Sequence, residues 1–402
     1  MEVREISVDG ADGEIVAGRE GSGAVGAGLY IHVPFCASVC PYCDFAVTLA
    51  GEERRQAYVA GIGREAAMAA ADGLAFDTVY LGGGSPSALA PDQLAEILGA
   101  VRARLEVGED AWTFLEINPE DVSAASVRAW RELGVRTVSV GVQSFDDAAL
   151  GFLGRRHTAD DARRAVDWLR EGGFATVSLD LIYGLPGQSA DGWRRQLEEA
   201  VARSADHVSC YQLTIHHGTI FGRRQARGEL AEAAEPVQAE LFLLTHQVLT
   251  ELGYEGYEVS NFAAAPGHRS RHNLKYWSHV PYLGLGPSAH SFVGRRRFWN
   301  QRKLRAWQRA VDAGCRPAEA SEELGDVELA LEAVMLGLRT AEGVDIEGLR
   351  TRYGVELVER NRSTIERLCD SGHLMLEADR LRPTVSGMAI ADTLARSLEL
   401  GR

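Results

Sequence analysis

The sequence predicts an α/β fold, a partial (β/α)6 barrel followed by a C-terminal helical, winged-helix-like domain. Three observations predict it. Six short runs of β-branched and aromatic residues recur between residues 29 and 215. Ala-, Glu- and Arg-rich stretches with helical spacing separate them, a pattern that means βαβ units and a parallel sheet. The last 80 or so residues change pattern, to three helices and then a short hairpin.

Residues 1–28 are poor in large apolar groups and end in a Gly-rich stretch, Gly21 to Gly28, which reads as a flexible N-terminal extension with a short strand near its start. The six strands are expected at 29–34, 78–82, 113–117, 137–142, 176–183 and 207–215, and the helices between them at 53–72, 91–106, 122–133, 158–171 and 191–203. So few units suit an open or partial barrel rather than a closed eight-stranded one. A further helix over 235–253 ends at Gly253 and completes a barrel domain, 29–253. Residues 254–318 turn irregular and rich in His, Tyr, Asn and Pro, and long irregular stretches in compact proteins are usually functional. In 319–402, helices at 324–339, 345–352 and 354–371 precede a hairpin around Leu374–Leu376 and Leu381–Thr384.

Composition narrows the function classes. The 402 residues are 46% apolar and 25% charged, which excludes disorder, collagen and a disulfide mini-scaffold. The formal net charge is −15, and residues 319–402 carry 17 Asp and Glu against 10 Lys and Arg. Nucleic-acid affinity rests on phosphate neutralisation, so DNA binding is not expected of the winged-helix-like part, which reads instead as a packing lid on the barrel. No run of about 18 apolar residues marks a transmembrane segment. The N-terminus has no apolar core before a small-residue cleavage site, so a reducing, cytoplasmic setting is expected, where disulfides are rare.

The six cysteines therefore need another reading. Cys36, Cys40 and Cys43 lie within eight residues directly after the first strand, while Cys210, Cys315 and Cys369 are scattered and read as incidental thiols. Three thiolates in one loop suit a soft metal centre. A structural zinc site wants four ligands, and no fourth Cys or His stands nearby at finger spacing. Three ligands suit a four-iron cluster with one iron left open to another molecule.

This C-x3-C-x2-C run, preceded by Tyr30-Ile31-His32-Val33-Pro34-Phe35, resembles the radical S-adenosylmethionine (radical SAM) superfamily. Within it the chain resembles the oxygen-independent coproporphyrinogen III oxidase-like family, and most closely the heme chaperone HemW group. Further motifs agree in order: Gly82-Gly83-Gly84-Ser85-Pro86, Glu116-Ile117-Asn118-Pro119, Gly141-Val142-Gln143-Ser144, Leu179-Asp180-Leu181, Tyr211-Gln212-Leu213-Thr214, His272-Asn273-Leu274-Lys275-Tyr276-Trp277 and Gly286-Pro287-Ser288-Ala289-His290.

The resemblance implies that Cys36, Cys40 and Cys43 hold a [4Fe-4S] cluster whose open iron SAM chelates. It implies SAM contacts from Tyr30, Gly83, Gly84, Ser85, Glu116, Gln143, Arg155 and Asp180. Tyr42, Gly84, Ser85, Thr214 and His290 correspond to a second SAM site of the oxidases. Two features depart from the oxidase pattern. Phe45 stands where a fourth cysteine is expected, and the chain before the first strand is short and Gly-rich. Cys43-Asp44-Phe45 is the HemW-like ending.

That resemblance implies heme as a ligand and acceptor hemoproteins of the respiratory chain, membrane-associated enzymes included, as partners. His272, Tyr276, Trp277 and His290 are then heme candidates, since an imidazole can ligate heme iron and aromatic faces can flank a porphyrin. The alternative for His272 to Trp277 is a satisfied histidine with two aromatics docking the loop on the barrel. His216-His217 is a further candidate, and Arg269, Arg271 or Arg295 to Arg297 could pair with propionates. The competing activities are heme delivery, oxidative decarboxylation of coproporphyrinogen III, and another radical reaction on a tetrapyrrole or other substrate.

Overall fold

A computed structural model describes residues 25–400. All but the last four residues of the expected N-terminal extension therefore lie outside the described part. Six strands, β1 (Ala27–Val33), β2 (Ala75–Gly83), β3 (Glu106–Ile117), β4 (Val135–Gln143), β5 (Thr176–Tyr183) and β6 (His207–Gln212), lie side by side in that order. Every neighbouring pair is parallel. Helices Glu52–Ala69, Pro91–Arg104, Ala124–Glu132, Ala159–Glu171 and Ala190–Ala202 form the crossovers. The partial (β/α)6 architecture is the one the sequence predicts.

Successive strand side chains point to opposite faces, and here the two faces differ in chemistry. One set, including Leu29, Ile31, Val79, Leu81, Val138, Val140, Val177, Leu179 and Val208, is fully buried in the main core. The alternating set, Tyr30, His32, Thr78, Tyr80, Thr137, Ser139, Thr176, Ser178, Asp180, His207, Ser209 and Tyr211, is polar or aromatic. Most of this second set lines internal cavities. The sheet is thus greasy toward its helices and hydrophilic inside its curve.

Residues 254–318 differ from the irregular segment that the sequence predicts. β7 (Glu255–Gly256) and β8 (Asn261–Ala263) run antiparallel beyond β6. On the other side, β9 (Tyr282–Leu285) pairs parallel with β1. β10 (His290–Val293), β11 (Arg296–Asn300) and β12 (Ala318–Glu323) follow in antiparallel order. The result is a twelve-stranded sheet. Strands of two to six residues are too short for alternation to show, and β10 to β12 are rich in His, Arg and Glu, so pairing to an existing edge decides them. The expected boundary between 318 and 319 falls inside β12.

A second core begins after β12, with helices Asp326–Gly337, Ile346–Tyr353 and Leu357–Asp370. It packs Val334, Leu338, Leu349, Leu357, Ile365 and Leu381. β14 (Leu374–Leu376) and β15 (Arg380–Pro383) form the hairpin, and β13 (Val344–Asp345) pairs with β15. This is the helix-helix-helix-hairpin order expected. Among the described residues, no helix is long and apolar enough to cross a membrane.

The extra strands are tied to the barrel by one buried carboxylate. Glu65, on helix Glu52–Ala69, accepts from the Gly286 N–H at 2.8 Å, Trp307 Nε1 at 2.9 Å and Asn300 Nδ2 at 2.5 Å. Those donors come from the turn after β9, from helix Leu304–Asp312 and from the end of β11. Replacing Glu65→Ala leaves the Gly286 N–H and Trp307 Nε1 without an acceptor and Asn300 Nδ2 with the Gly286 carbonyl alone. We expect a loss of about 3 kcal/mol in urea unfolding. An unfolding midpoint like that of the native chain would mean that Glu65 ties nothing together.

Candidate functional site

The three cysteines sit on a loop pinned at its base. Thr48 N–H donates to Pro34 O at 2.6 Å and Cys36 N–H to Thr48 O at 3.2 Å. Phe35 is fully buried and meets Tyr58 edge-on at 5.1 Å. Within the loop, Cys43 N–H donates to Cys40 O at 3.1 Å, and beyond it Phe221 N–H holds Pro41 O at 2.9 Å. The Gly82-Gly84 turn docks on the same loop, with Gly84 N–H to Val33 O at 2.8 Å and Ser85 N–H to Phe35 O at 2.7 Å. Gly83 has φ +107°, a conformation that L side chains avoid. At Gly82 a Cβ would stand 2.9 Å from the Glu116 carboxyl, so glycine here makes room for that acid.

Beneath the loop lies a cavity of about 420 Å³, within the range of small-molecule sites. It is lined by Cys36, Cys40, Tyr42, Cys43, Gly83, Gly84, Ser85, Glu116, Gln143, Arg155, Asp180 and Thr214, all of them singled out in the sequence. They come from the C-terminal ends of the strands and the loops that follow, where parallel-sheet proteins gather their chemistry. Gln143, at the end of β4, has φ +64°, a strained conformation for a non-glycine residue of the kind that clusters at functional sites.

The charges of the cavity are organised around Arg155. Its Nη2 donates to Asn118 Oδ1 at 2.6 Å and to Gly141 O at 3.0 Å, and its Nη1 approaches Cys40 Sγ at 3.6 Å. Its Nε is buried without a partner. Burial pushes the Cys36 thiol up to about 12 and raises the Cys43 thiol as well. Metal binding at such thiols must release protons. Among the described residues, no three ligating side chains converge closely enough to share a single ion. Three thiols on one loop are the donor type that an iron–sulfur cluster takes. The unsatisfied guanidinium nitrogen and the neighbouring carboxylates fit a polar, charged co-ligand such as SAM.

Glu116 accepts from Tyr80 Oη at 2.8 Å and from the Gly83 N–H at 3.0 Å. Burial raises its pKa against those two donors. Asp180 accepts from Ser139 Oγ at 3.0 Å.

A second chamber, also of about 420 Å³, adjoins the first and shares Asp44, Phe45, Gly83 and Glu116 with it. It holds Tyr30, Tyr276 and His290 of the expected residues, and Tyr282 and Arg302, which the sequence did not single out. His290 stacks on Trp299 at 5.7 Å. Phe45, 63% exposed, stands at the junction. His272 and Trp277 go elsewhere. His272 is 1% exposed, with Nδ1 2.9 Å from Thr78 Oγ1 and Nε2 2.8 Å from Tyr276 Oη. Both ring nitrogens are engaged, and burial pushes its pKa down to about 3. The geometry is that of the satisfied histidine, not of an open axial ligand. Trp277 faces a cleft of about 230 Å³ against the C-terminal helices.

Of the arginines expected at propionates, Arg269, Arg295 and Arg297 are ion-paired within the protein, whereas Arg296 is exposed over the Phe298 ring. Arg269 pairs with Glu255 at 2.6 Å, Arg295 with Asp326 at 2.5 Å and Arg297 with Glu332 at 2.5 Å, while Arg271 lies over the Trp112 ring. His216 lines the rim of the cysteine cavity, 3.6 Å from Asp44. Cys210, Cys315 and Cys369 lie outside both cavities.

Comparison with known proteins matches this architecture. The radical SAM superfamily matches residues 30–200, and the HemN C-terminal domain matches residues 326–390. The heme chaperone HemW of Mycobacterium tuberculosis is 36% identical over 376 residues, spanning 92% of this chain and 94% of its own. The chain belongs to the HemW family. The HemW of Escherichia coli is 37% identical over 303 residues, 75% of this chain and 78% of that protein. The solved coproporphyrinogen III oxidase HemN of Escherichia coli superposes with a TM-score of 0.78 over 93% of this chain and 90% of that one. Its identity is 20%, so it speaks to the fold of this HemW-family chain and not to its activity.

Burial is the largest cause that pushes the Asp180 carboxyl up to about 7, with the Glu116 charge adding to it against the Ser209 and Ser139 hydroxyls. An ordinary aspartate titrates near about 4. The folded state therefore holds a proton that the unfolded chain has lost. This contribution is complete below the ordinary value and disappears as pH rises through 7. Between about pH 4 and 7 the native chain should lose stability relative to Asp180→Asn in parallel urea titrations. Parallel pH profiles for the two proteins would contradict the assignment.

Proposed function

We propose that this chain is a heme chaperone of the HemW type, which binds heme and passes it to acceptor hemoproteins. The observation that carries this reading is the match, over more than nine-tenths of both chains, to a relative named a heme chaperone. Phe45 supports it from the structure: it occupies the junction of the two cavities at the position where the oxidase pattern has cysteine. In this reading the protein works in the cytoplasm, and membrane-associated respiratory enzymes are among its acceptors.

Cys36, Cys40 and Cys43 would hold a [4Fe-4S] cluster, which when bound supplies one-electron chemistry to the SAM sulfonium. Gly83, Gly84 and Ser85 offer backbone and hydroxyl contacts to SAM, while Glu116, Asp180, Gln143 and Arg155 orient its charged groups. The pinned loop and the buried Phe35 at its base hold the three half-buried thiols at the cavity. Tyr42, in the cysteine loop itself, and Thr214 line the same cavity, where a second SAM or part of the heme can lie. Heme would occupy the adjoining chamber. His290 offers its imidazole there, Tyr30, Tyr276 and Tyr282 offer aromatic surface, and Arg302 offers a cation to a propionate. Burial lowers the His290 pKa, which keeps its lone pair free at neutral pH.

Three measurements test this. Cys40→Ala should abolish the iron–sulfur absorption of anaerobically reconstituted protein; a variant that keeps four irons at unchanged affinity overturns the ligand set. His290→Ala should weaken heme binding by roughly tenfold and shift the Soret band, and an unmoved band removes His290 from the heme. The function itself is tested by mixing heme-loaded protein with an apo-hemoprotein, alongside an anaerobic assay with coproporphyrinogen III, SAM and a low-potential reductant. Stoichiometric heme transfer without protoporphyrin formation is expected. Multiple-turnover protoporphyrin would replace the chaperone with an oxidase.

A further inference from the structure

The segment His272-Asn273-Leu274-Lys275-Tyr276-Trp277 forms a single short helix, Arg271–Trp277, wedged against the N-terminal ends of β1 and β2. Its buried cation fastens it there: Lys275 Nζ reaches Asp77 at 2.7 Å and the Gly26 carbonyl at 2.5 Å. Gly28 on β1 leaves the room, since a Cβ there would stand 3.0 Å from the His272 ring and 3.1 Å from Lys275. The imidazole so inserted lies flat on Tyr80, with ring centres 5.0 Å apart and planes 30° apart. Phe114 packs against Tyr80 at 5.5 Å and against the imidazole at 6.2 Å. The Tyr80 hydroxyl is the donor that holds Glu116 Oε1.

These contacts form one chain from the wedge to the cavity. Thr78 and Tyr276 fix the plane of the imidazole through its two nitrogens. The imidazole, Phe114 and Tyr80 form one mutually packed cluster, with the imidazole stacked on the phenol ring and 6.2 Å from Phe114, and this packing restrains the phenol. The phenol and the Gly83 N–H then fix the two oxygens of Glu116. Glu116, like the exposed Asp44, borders both the cysteine cavity and the adjoining chamber.

We propose that His272 is a positioning residue for SAM, acting through Tyr80 on the Glu116 carboxylate, and is not a heme ligand. This rests on the reading that Glu116 faces SAM. Without the imidazole, Tyr80 gains rotational freedom and Glu116 loses a fixed donor. The carboxylate then spends part of its time turned away from the ligand, and affinity falls although no contact to SAM has been removed.

The test uses full-length, cluster-reconstituted protein. SAM affinity is measured by equilibrium dialysis, heme binding by Soret titration, and folding by thermal unfolding. Tyr80→Phe keeps the packing and removes only the hydroxyl, so it remains informative even if His272→Ala folds poorly. Each single change should weaken SAM binding by about tenfold, the scale of one hydrogen bond to a charged group. His272→Ala with Tyr80→Phe should be no weaker than the worse single variant, because both act along one path. His272→Phe, which keeps the stack, should recover part of the loss. The Soret band, which reports the axial ligand, should not move in any of them. Unchanged SAM affinity in the single variants, additive losses in the double variant, or a displaced Soret band in His272→Ala each overturn the proposal. If the native protein itself bound no SAM, the reading of Glu116 would fail and this inference with it, an outcome distinct from native binding that the variants leave intact.

Discussion

The two-residue alternation along β1 to β6 is the constraint on which the rest of the molecule depends. It sends leucine, isoleucine and valine outward under the helices and hydroxyls, imidazoles and carboxyls inward. The outward face supplies the burial that holds a long open sheet together. The inward face could not be filled with apolar side chains without losing the site, so its polar groups satisfy one another instead. Ser178 and Tyr257 share the two nitrogens of His207, and Thr176 meets His268. Such networks are favourable only when their members are paired. Nearer the cavity, Ser139 donates to Asp180.

The sequence made the strongly periodic parts legible. Six β-branched runs and the helices between them appear close to where they were expected, because alternation and helical spacing are local properties. Residues 254–318 were not legible for the same reason. β7 to β11 are too short to carry a period, and they become strands by pairing with a sheet edge already present. Tyr80 was missed as a site residue because it reads as an ordinary β-former inside a strand. Its signal, an aromatic two residues before the triple glycine, gains meaning only when Glu116 is placed opposite it.

The cysteine site was legible for a different reason, namely that three thiols, three glycines and strand-end acids are rare residue types in conspicuous order. The histidine motif shows the limit of that approach. His272 and His290 are equally plausible imidazoles in a string of letters. Burial separates them: one has both nitrogens taken up under Tyr80, and the other stands open in the chamber beside Trp299. Residue chemistry proposes a ligand, and only the accounting of its hydrogen bonds decides whether it is free to act.

The outer strands also bear on how the chain behaves among its own copies. An unclosed sheet has two edges, and each edge offers unpaired backbone groups to any passing strand. One edge here is β7, only two residues long. The other is β12, exposed throughout and carrying Glu319, Glu322 and Glu323. A strand adding to β12 from another copy in antiparallel register would bring carboxylate against carboxylate, at a cost that grows as salt is lowered. The acidic balance of the sequence thus has a local use: it guards the open side of the sheet against polymerisation by strand addition.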